Sequence, residues 1–332
     1  MGGNAIKNVT TRRYSKSEYM DYFVKISKEF KKIFGKDVVQ LIPAYGQKES
    51  FGDMDLIFYP DDFNIAVRKI IKHYHLTQNQ WARNTGILSF APDDFQIDLI
   101  YTERHNVSAA LMYFAYNDMS NLLGRLTHKL GIKLGHKGLS IVLRSPNNPS
   151  QFLREITLSN NYYAGLDILG LSIPRYMEGF DTLEEIFEYV ASSKYFNKDA
   201  FLLDNRNHIA RTRDHKRPTY TKFLQWIIET QPKDNFVFDK TDSKGGYNLR
   251  EPFFHDVILP RYPSVEYEII GIIEEDLVNQ NFKKYFNGGV VSYLSGLEGR
   301  ELGMLMSKIE FSDLERHMIN DEMVKVKVSE KL

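Results

Sequence analysis

The sequence predicts an α+β fold in which a mixed β-sheet is flanked by helices and followed by mostly helical subdomains. Short apolar runs rich in β-branched residues, at Val38–Leu41, Leu56–Tyr59 and Phe95–Tyr101, have the length and composition of strands. Stretches with apolar residues at helical spacing lie before and between them, so helices alternate with strands in the first third of the chain. Helical spacing predominates from residue 107 onward.

Two helices and one further strand complete the predicted sheet region. Residues Ser15–Phe34 carry a stripe of apolar side chains with lysines on the opposite face, and Asp61–Tyr74 carries a second stripe. The run Ile87–Phe90 is expected to pair with the next strand across a Pro-Asp-Asp turn. The polar segment Met1–Tyr14 is expected to be a loosely held arm.

Three aspartates interrupt the apolar pattern of two strands. Asp53 and Asp55 open the strand that continues to Tyr59, and because strand side chains alternate with a period of two, both carboxylates point to one face. Asp98 interrupts the third strand. If the two strands are neighbours, three carboxylates converge on a site able to hold two divalent ions, with Mg²⁺ the natural occupant. The alternative for the Asp-x-Asp pattern by itself is an ordinary pair at a strand edge.

Two stretches around these aspartates carry a family resemblance. The sequence Gly-Asp-Met-Asp-Leu-Ile at 52–57, followed by Ile-Asp-Leu at 97–99, resembles the palm of the DNA polymerase β nucleotidyltransferase superfamily. The match covers about residues 35–145 and keeps its spacing without gaps from Asp98 to Leu139. Its second half is similar to the nucleotide-closing segment of family X DNA polymerases through Ala109–Phe114, Asp118, Asn121, Arg125, Gly131–Leu134 and Lys137-Gly138-Leu139.

This resemblance implies an enzyme that adds nucleoside monophosphates from a nucleoside triphosphate to the 3′-hydroxyl of DNA or RNA. It implies that Asp53, Asp55 and Asp98 are catalytic and hold two Mg²⁺ ions, or Mn²⁺ in their place. The expected partners are the triphosphate and a nucleic-acid 3′ end, with the protein a monomer. The resemblance places Tyr113 and Phe114 against the sugar, Asp118 and Asn121 on the nucleotide, and Arg125 beside the template base.

Two departures from the family pattern concern triphosphate and sugar binding. The Gly-Ser pair that holds the triphosphate in the family falls here on Pro43-Ala44, and Gly46-Gln47 replaces it only with a shortened loop. The Thr-Gly-Ser that follows Tyr-Phe in the family is here Ala115-Tyr116-Asn117. Lys48 is the nearest cation able to replace a phosphate contact, and a solvated turn residue is the alternative. The nucleotide-binding residues expected in this turn are Gly46, Gln47, Lys48 and Gly52.

Two later segments suggest contacts with nucleic acid. A basic stretch before Pro218 is followed by aromatic residues, which is typical of a strand-binding surface and equally of a solvated loop. The glycine-rich segment Phe286–Met306, with Arg300, resembles the C-terminal helical motif of CCA-adding tRNA nucleotidyltransferases, and a tight helix–helix turn is the alternative. Glu310–Leu332 is expected to be an exposed charged tail. The basic candidates are Arg211, Arg213, Lys216 and Arg217, with Arg300.

Composition limits the classes of protein that this chain can belong to. Its 43 Lys and Arg residues balance 43 Asp and Glu residues, so local patches must bind any polyanion. It has no cysteine, which excludes disulfides, thiolate metal sites and cysteine nucleophiles. No apolar run approaches the roughly 20 residues that span a bilayer. We therefore expect a soluble cytoplasmic protein without a membrane partner, bacterial or, if viral, in the host cytoplasm.

Three regions and three candidate functions follow from these patterns. We expect an N-terminal helix and catalytic palm over 1–106, a nucleotide-closing subdomain with a helical extension over 107–200, and a helical C-terminal domain over 201–332. The leading candidate function is that of a family X DNA polymerase. An RNA-directed terminal transferase of the tRNA type is the first alternative. A nucleotidyltransferase fold that has lost triphosphate binding and catalysis is the second.

Overall fold

The chain folds as an α+β structure with a mixed sheet flanked by helices, as the sequence predicts. No helix among the residues that the structure describes is long and apolar enough to cross a membrane. The domain boundaries that the sequence suggests at residues 106 and 200 stay predictions.

The computed structural model describes residues 5–6, 9–205, 207–237 and 250–332. Its compact units are Met1–Ile141 with Thr157–Ile258, and Val142–Ile156 with Leu259–Leu332.

A five-stranded sheet forms the centre of the first unit. Its elements in chain order are β1 (Tyr14–Ser15), α1 (Lys16–Phe34), β2 (Val39–Leu41), β3 (Ser50–Phe51), β4 (Asp53–Phe58), α2 (Phe63–His73), β5 (Trp81–Asn84), β6 (Ile87–Phe90) and β7 (Gln96–Tyr101). The strand order in the sheet is β2-β4-β7-β6-β5. The strands β4 and β7 run parallel, and the other neighbours run antiparallel. The predicted pairing of β6 with β7 is confirmed.

Helices α1 and α2 cover one face of this sheet. Ser15 and Glu18 form a full capping box at the start of α1, which satisfies backbone donors that the first turn leaves unpaired. Because alternate side chains of β4 share a face, Met54, Leu56 and Phe58 all point toward these helices and are fully buried. The intervening positions of β4 therefore point to the opposite face.

The N-terminal arm is held against the first unit. The strand β1 pairs antiparallel with β3, and the Tyr14 ring stacks on Phe95 with 3.9 Å between centroids. Arg12 forms ion pairs with Glu18 at 2.8 Å and with Asp94 at 2.7 Å. The expectation of a loosely held arm is wrong for the part of it that the structure describes. The polar composition of this segment gave no indication of its contacts with β3 and with Asp94, which are distant in sequence.

The remainder of the first unit is mainly helical. Helix α3 packs on the sheet face opposite α1, where Ala110 lies in a buried cluster with Ile57 and Tyr59. Helical spacing predominates in the sequence from residue 107 onward, but α4 is followed by the antiparallel pair β8–β9. The elements that follow β7 are α3 (Val107–Phe114), α4 (Met119–Leu130), β8 (Ile132–Gly135), β9 (Gly138–Arg144), β10 (Phe152–Ser159), α5 (Tyr162–Ile168), α6 (Ile173–Glu178), α7 (Leu183–Ala191), α8 (His208–His215), α9 (Pro218–Thr230) and α10 (Arg250–Phe253). The residues of β9 and of β10 are divided between the two units.

The second unit contains a cluster of helices with its own apolar core. The prediction of an exposed tail over Glu310–Leu332 is wrong, because Val324 and Val328 are four residues apart on one helix face and are buried in this core. Between them, Lys325 and Val326 are exposed and Lys327 is half-buried. The helices are α11 (Val265–Tyr285), α12 (Gly288–Ser295), α13 (Gly299–Met306), α14 (Asp313–His317) and α15 (Asp321–Lys331).

The substitution Val324→Ala should lower the free energy of unfolding of the second unit by about 1–3 kcal/mol, because it removes two buried methyl groups and leaves a cavity. Urea denaturation followed by circular dichroism measures the change. Val326→Ala is the matched control on the same helix, since Val326 is 54% exposed and its loss should cost less than about 0.5 kcal/mol. Equal effects of the two substitutions would contradict this packing.

Candidate active site

The three aspartates predicted to bind a metal lie together on the sheet face opposite α1 and α2. The parallel register sets Asp55 of β4 beside Asp98 of β7, and the two-residue period of β4 places Asp53 on the same face. Each side chain offers one carboxylate oxygen, and these atoms lie within 4.8 Å of one another. The structure thus brings together acids from two strands that are more than forty residues apart in sequence.

Burial and mutual repulsion raise the pKa values of Asp55 and Asp98. Burial, followed by the charges of Asp53 and Asp98, raises the pKa of Asp55 to about 8. Burial also raises the pKa of Asp98 to about 6, although hydrogen bonds from Ser89 and Gln96 favour its charged form. The Gln96 amide donates to both carboxylate oxygens of Asp98, at 2.9 and 3.0 Å. A positive charge between the carboxylates would offset this cost.

The donor set fits a divalent cation. Carboxylate oxygens are the ligands that Mg²⁺ and Mn²⁺ prefer. A cation shared by Asp53, Asp55 and Asp98 would also relieve the repulsion that raises the pKa of Asp55. Within the described ranges of the chain, no other group of three acidic, histidine or cysteine side chains comes this close together. The three aspartates are therefore the residues that would hold the metal.

A cavity of about 550 Å³ opens in front of Asp53 and Asp55. This volume is in the range of pockets that bind small organic ligands. Asp98 is not on the cavity wall, but its carboxylate lies close to those of Asp53 and Asp55, which are. The wall also includes Lys48, Gly52, Phe114, Asn117, Asp118 and Thr219.

Lys48 brings a positive charge to this wall. Its Nζ lies 3.4 Å from Asn117 Oδ1 and 4.7 Å from the centroid of the Phe51 ring. Burial lowers the pKa of Lys48, while the charges of Asp55 and Asp53 act in the opposite direction. Lys48 is thus part of the cavity wall and not a solvated turn residue. Its ammonium group and the carboxylates face a common space.

The turn between α3 and α4 places Asn117 on the wall. Tyr116 and Asn117 both adopt the left-handed conformation, at φ 58° and 59°, which is uncommon outside glycine and must be held by its surroundings. The Tyr116 N–H donates to the Pro43 carbonyl at 2.8 Å, and the Tyr116 ring packs edge-on against Phe180. The sequence marked these residues as a departure from the family pattern but did not indicate that Asn117 meets Lys48.

Gly46 and Gln47, which were predicted to bind the nucleotide, hold the turn before β3 in place through their backbone N–H groups. The backbone N–H of Gly46 donates to the Phe180 carbonyl at 2.8 Å, and that of Gln47 donates to the Asp181 carbonyl at 2.9 Å. A side chain at Gly46 would collide with Asp181, so glycine is needed for this close approach. Of the predicted nucleotide residues, those on the cavity wall are Lys48, Gly52, Phe114 and Asp118.

Tyr113, Asn121 and Arg125 are not on the cavity wall. Tyr113 packs edge-on against Phe114 and Tyr162. Asn121 and Arg125 share one side of α4, as their spacing predicts. Asn121 Nδ2 and Arg125 Nε are buried and have no hydrogen-bond partner among the described residues. Their role toward a nucleotide stays a prediction.

The basic residues near Pro218 differ in exposure. Arg217 is half-buried, and its Nη1 donates to Asp118 Oδ1 at 2.6 Å. This ion pair joins two residues that the sequence assigned separately, one to the nucleotide and one to nucleic acid. Those exposed to solvent on or just after α8 are Arg211, Arg213 and Lys216.

The glycine-rich segment of the second unit forms a helix–turn–helix. Gly296 ends α12 with φ 71°, and Gly299 begins α13 with φ 55°. Both conformations favour glycine, so a tight turn between helices accounts for these two residues. Arg300 is exposed in the first turn of α13.

Sequence reasoning missed two parts of the cavity wall. Arg13 lies on it and donates to Ser50 Oγ at 2.7 Å and to the Ser50 carbonyl at 2.8 Å. Pro218 and Thr219, in the first turn of α9, also line the cavity. No local pattern marks these residues, because each reaches the cavity through contacts with distant parts of the chain.

Fold and site together define an α+β protein whose mixed sheet carries an acidic triad. No protein-family profile and no curated protein matches the sequence. Solved structures do match, and one of them is the polymerase beta of Leishmania infantum in a ternary P/T complex. That superposition has a TM-score of 0.38 at 13% identity and covers 48% of this chain and 74% of that chain.

Metal binding at this site should weaken as the pH falls, because the cation competes with protons on Asp55 and Asp98. Since the pKa values are about 8 and about 6, the affinity for Mn²⁺ should rise by up to about tenfold per pH unit between about pH 6 and pH 8. Titration calorimetry in two buffers of different ionisation enthalpy measures both the affinity and the protons released.

The metal-free protein provides the control for this prediction. A carboxyl group whose pKa is raised on folding adds stability below its unfolded pKa, near 4, and this stability is lost as the pH rises through about 8. The thermal shift caused by Mn²⁺ should therefore be larger near pH 8 than near pH 6. A metal affinity that does not change with pH would contradict the assignment.

Proposed function

We propose that the protein is a metal-dependent nucleotidyltransferase that transfers a nucleoside monophosphate from a nucleoside triphosphate to the 3′-hydroxyl of a nucleic acid. The observation that carries the proposal is the close group of Asp53, Asp55 and Asp98 beside a cavity of about 550 Å³. Lys48 adds a cation to the same wall. Transfer of a nucleoside monophosphate from a triphosphate to a nucleic acid brings two polyanions together. It requires carboxylates that bind metal ions and a positive side chain that binds the phosphates.

Each side chain has a role that follows from its position. Two Mg²⁺ ions, when bound, neutralise charge on the attacking and leaving oxygens and lower the pKa of the attacking hydroxyl. Asp53 and Asp55 would hold both ions and Asp98 one of them. Lys48 would bind the triphosphate, and Phe114 would lie against the sugar. Catalysis then rests on alignment and on charge neutralisation, without a protein nucleophile.

The narrower proposal is an activity like that of family X DNA polymerases. The Tyr113-Phe114 pair at the end of α3 supports it, as part of a nucleotide-closing region over 107–200. Exposed Arg211, Arg213 and Lys216 would meet the phosphates of the nucleic acid, and Arg300 is a further candidate contact.

A substrate comparison separates this proposal from its RNA-directed alternative. Extension of a primed DNA template is compared with extension of a tRNA that lacks its 3′ end, with the same enzyme and triphosphates. A family-X-like enzyme extends the primed template and needs the template base. Preferential extension of the tRNA would replace this proposal with a tRNA-type terminal transferase.

The substitution Asp98→Ala should lower kcat for nucleotide transfer by at least about a thousandfold, because it removes a metal ligand from the site of charge development. The fold should survive, since Asp98 lies on the sheet face opposite the main core. Incorporation of labelled nucleotide measures transfer, and circular dichroism checks the fold. Glu103→Ala removes an exposed acid just after β7 and is the control. Normal incorporation by Asp98→Ala would remove the mechanism.

Lys48→Met should weaken triphosphate binding by about tenfold, because it removes a positive charge from the cavity wall. Calorimetry with each ribo- and deoxyribonucleoside triphosphate in the presence of Mg²⁺ measures binding and sugar preference together. Lys72→Met, at an exposed lysine of α2, is the matched control. If the unaltered protein binds no triphosphate, it is a non-catalytic member of this fold and the proposal fails.

A further inference from the structure

The ion pair between Arg217 and Asp118 joins two helix starts at the cavity. Asp118 is the N-cap residue of α4 and Arg217 is the N-cap residue of α9, and neither side chain makes a capping hydrogen bond. Instead, Arg217 Nη1 donates to Asp118 Oδ1 at 2.6 Å across 99 residues of sequence. The two side chains are 35% and 32% exposed, so solvent screens this pair less than a surface pair.

The pair controls the charge of the cavity wall. Asp118 lies on that wall with Asp53 and Asp55, while Lys48 and Arg13 are its cations. Asp118 also acts electrostatically on both Asp55 and Lys48, so its charge is felt across the site. Metal ions would neutralise the two strand acids, whereas Asp118 lies outside the group of acids that would hold them. Without a cation of its own, Asp118 would repel a polyanion.

The pair also builds the wall. Pro218 and Thr219 follow Arg217 directly and line the cavity. Pro218 has a fixed φ and no N–H, so the first turn of α9 begins in a conformation that needs little further ordering. The Arg217 side chain is then a direct link between this turn and the start of α4.

We propose that Arg217 is a positioning residue of the nucleotide cavity, which neutralises Asp118 and holds the first turn of α9 so that a triphosphate can bind. This inference rests on the proposed function and assigns Arg217 to the nucleotide and not to the phosphates of nucleic acid. It also identifies the ligand class, because an effect of wall charge must grow with the number of phosphates on the nucleotide.

A double-mutant cycle on triphosphate binding tests the inference. Calorimetry is carried out without any acceptor strand, on the full chain, for Arg217→Ala, Asp118→Asn and the double variant. Arg217→Ala should weaken binding of the triphosphate by about tenfold, because it leaves Asp118 unpaired. In the Asp118→Asn background, where there is no charge left to pair, Arg217→Ala should weaken binding by no more than about threefold.

Further readouts separate this role from a merely structural one. The loss in Arg217→Ala should fall from the triphosphate to the monophosphate and vanish for the nucleoside. Arg217→Lys keeps the charge and should retain most of the affinity. In the transfer assay, Arg217→Ala should raise KM for the triphosphate far more than it lowers kcat. Lys222→Ala, at an exposed lysine of α9, is the matched control.

Each outcome decides one proposal or the other. Equal losses for nucleoside and triphosphate, or the same loss from Arg217→Ala in the wild-type and Asp118→Asn backgrounds, would overturn the role of Arg217. A wild-type protein that binds triphosphate but transfers nothing would overturn the proposed function and leave the inference standing. A protein that binds no triphosphate would end both.

Discussion

The parallel, in-register pairing of β4 with β7 is the constraint on which the rest of the site depends. It sets Asp55 beside Asp98, and the two-residue period of β4 adds Asp53. A shift of one residue along either strand would turn every side chain to the other face and exchange acids with core residues. Met54, Leu56 and Phe58 oppose such a shift, because it would move their apolar side chains out of the core with α1 and α2. The apolar face of the sheet thereby determines the position of the acids on the other face.

This arrangement places repelling charges in a partly dry site. The raised pKa values of Asp55 and Asp98 show that the metal-free fold bears an electrostatic cost there. The charge of Lys48 on the surrounding wall offsets part of that cost at Asp55. A site that is costly without a ligand gains most from binding one, which is typical of centres that handle metal ions and phosphates.

The sequence was sufficient for features that depend on local periodicity. The strands β2, β4, β6 and β7, the helices α1 and α2 and the shared face of Asp53 and Asp55 follow from composition and spacing. The three strand acids were also found from sequence, because an aspartate in an apolar strand is conspicuous. The exposed tail was a misreading of the same kind of signal, since Val324 and Val328 already stand at helical spacing among charged residues.

Features that depend on long-range contacts could not be predicted. Asn117 reaches the wall through a turn in the left-handed conformation, and no glycine in the sequence indicates that conformation. Arg13 reaches the wall because the next residue begins β1, whose polar sequence does not indicate a strand. The pairing of Arg217 with Asp118 depends on how α4 and α9 each pack against α7, which neither segment encodes by itself. Asn121 and Arg125 keep their expected spacing, but neighbouring elements bury their polar atoms away from the cavity.

A crystal structure of the Mn²⁺-loaded protein, with the metal located by anomalous diffraction, tests the central claim most directly. The account predicts an anomalous peak within ligand distance of carboxylate oxygens from Asp53, Asp55 and Asp98. Mn²⁺ bound elsewhere, or a site that leaves Asp98 turned away from the metal, would contradict it.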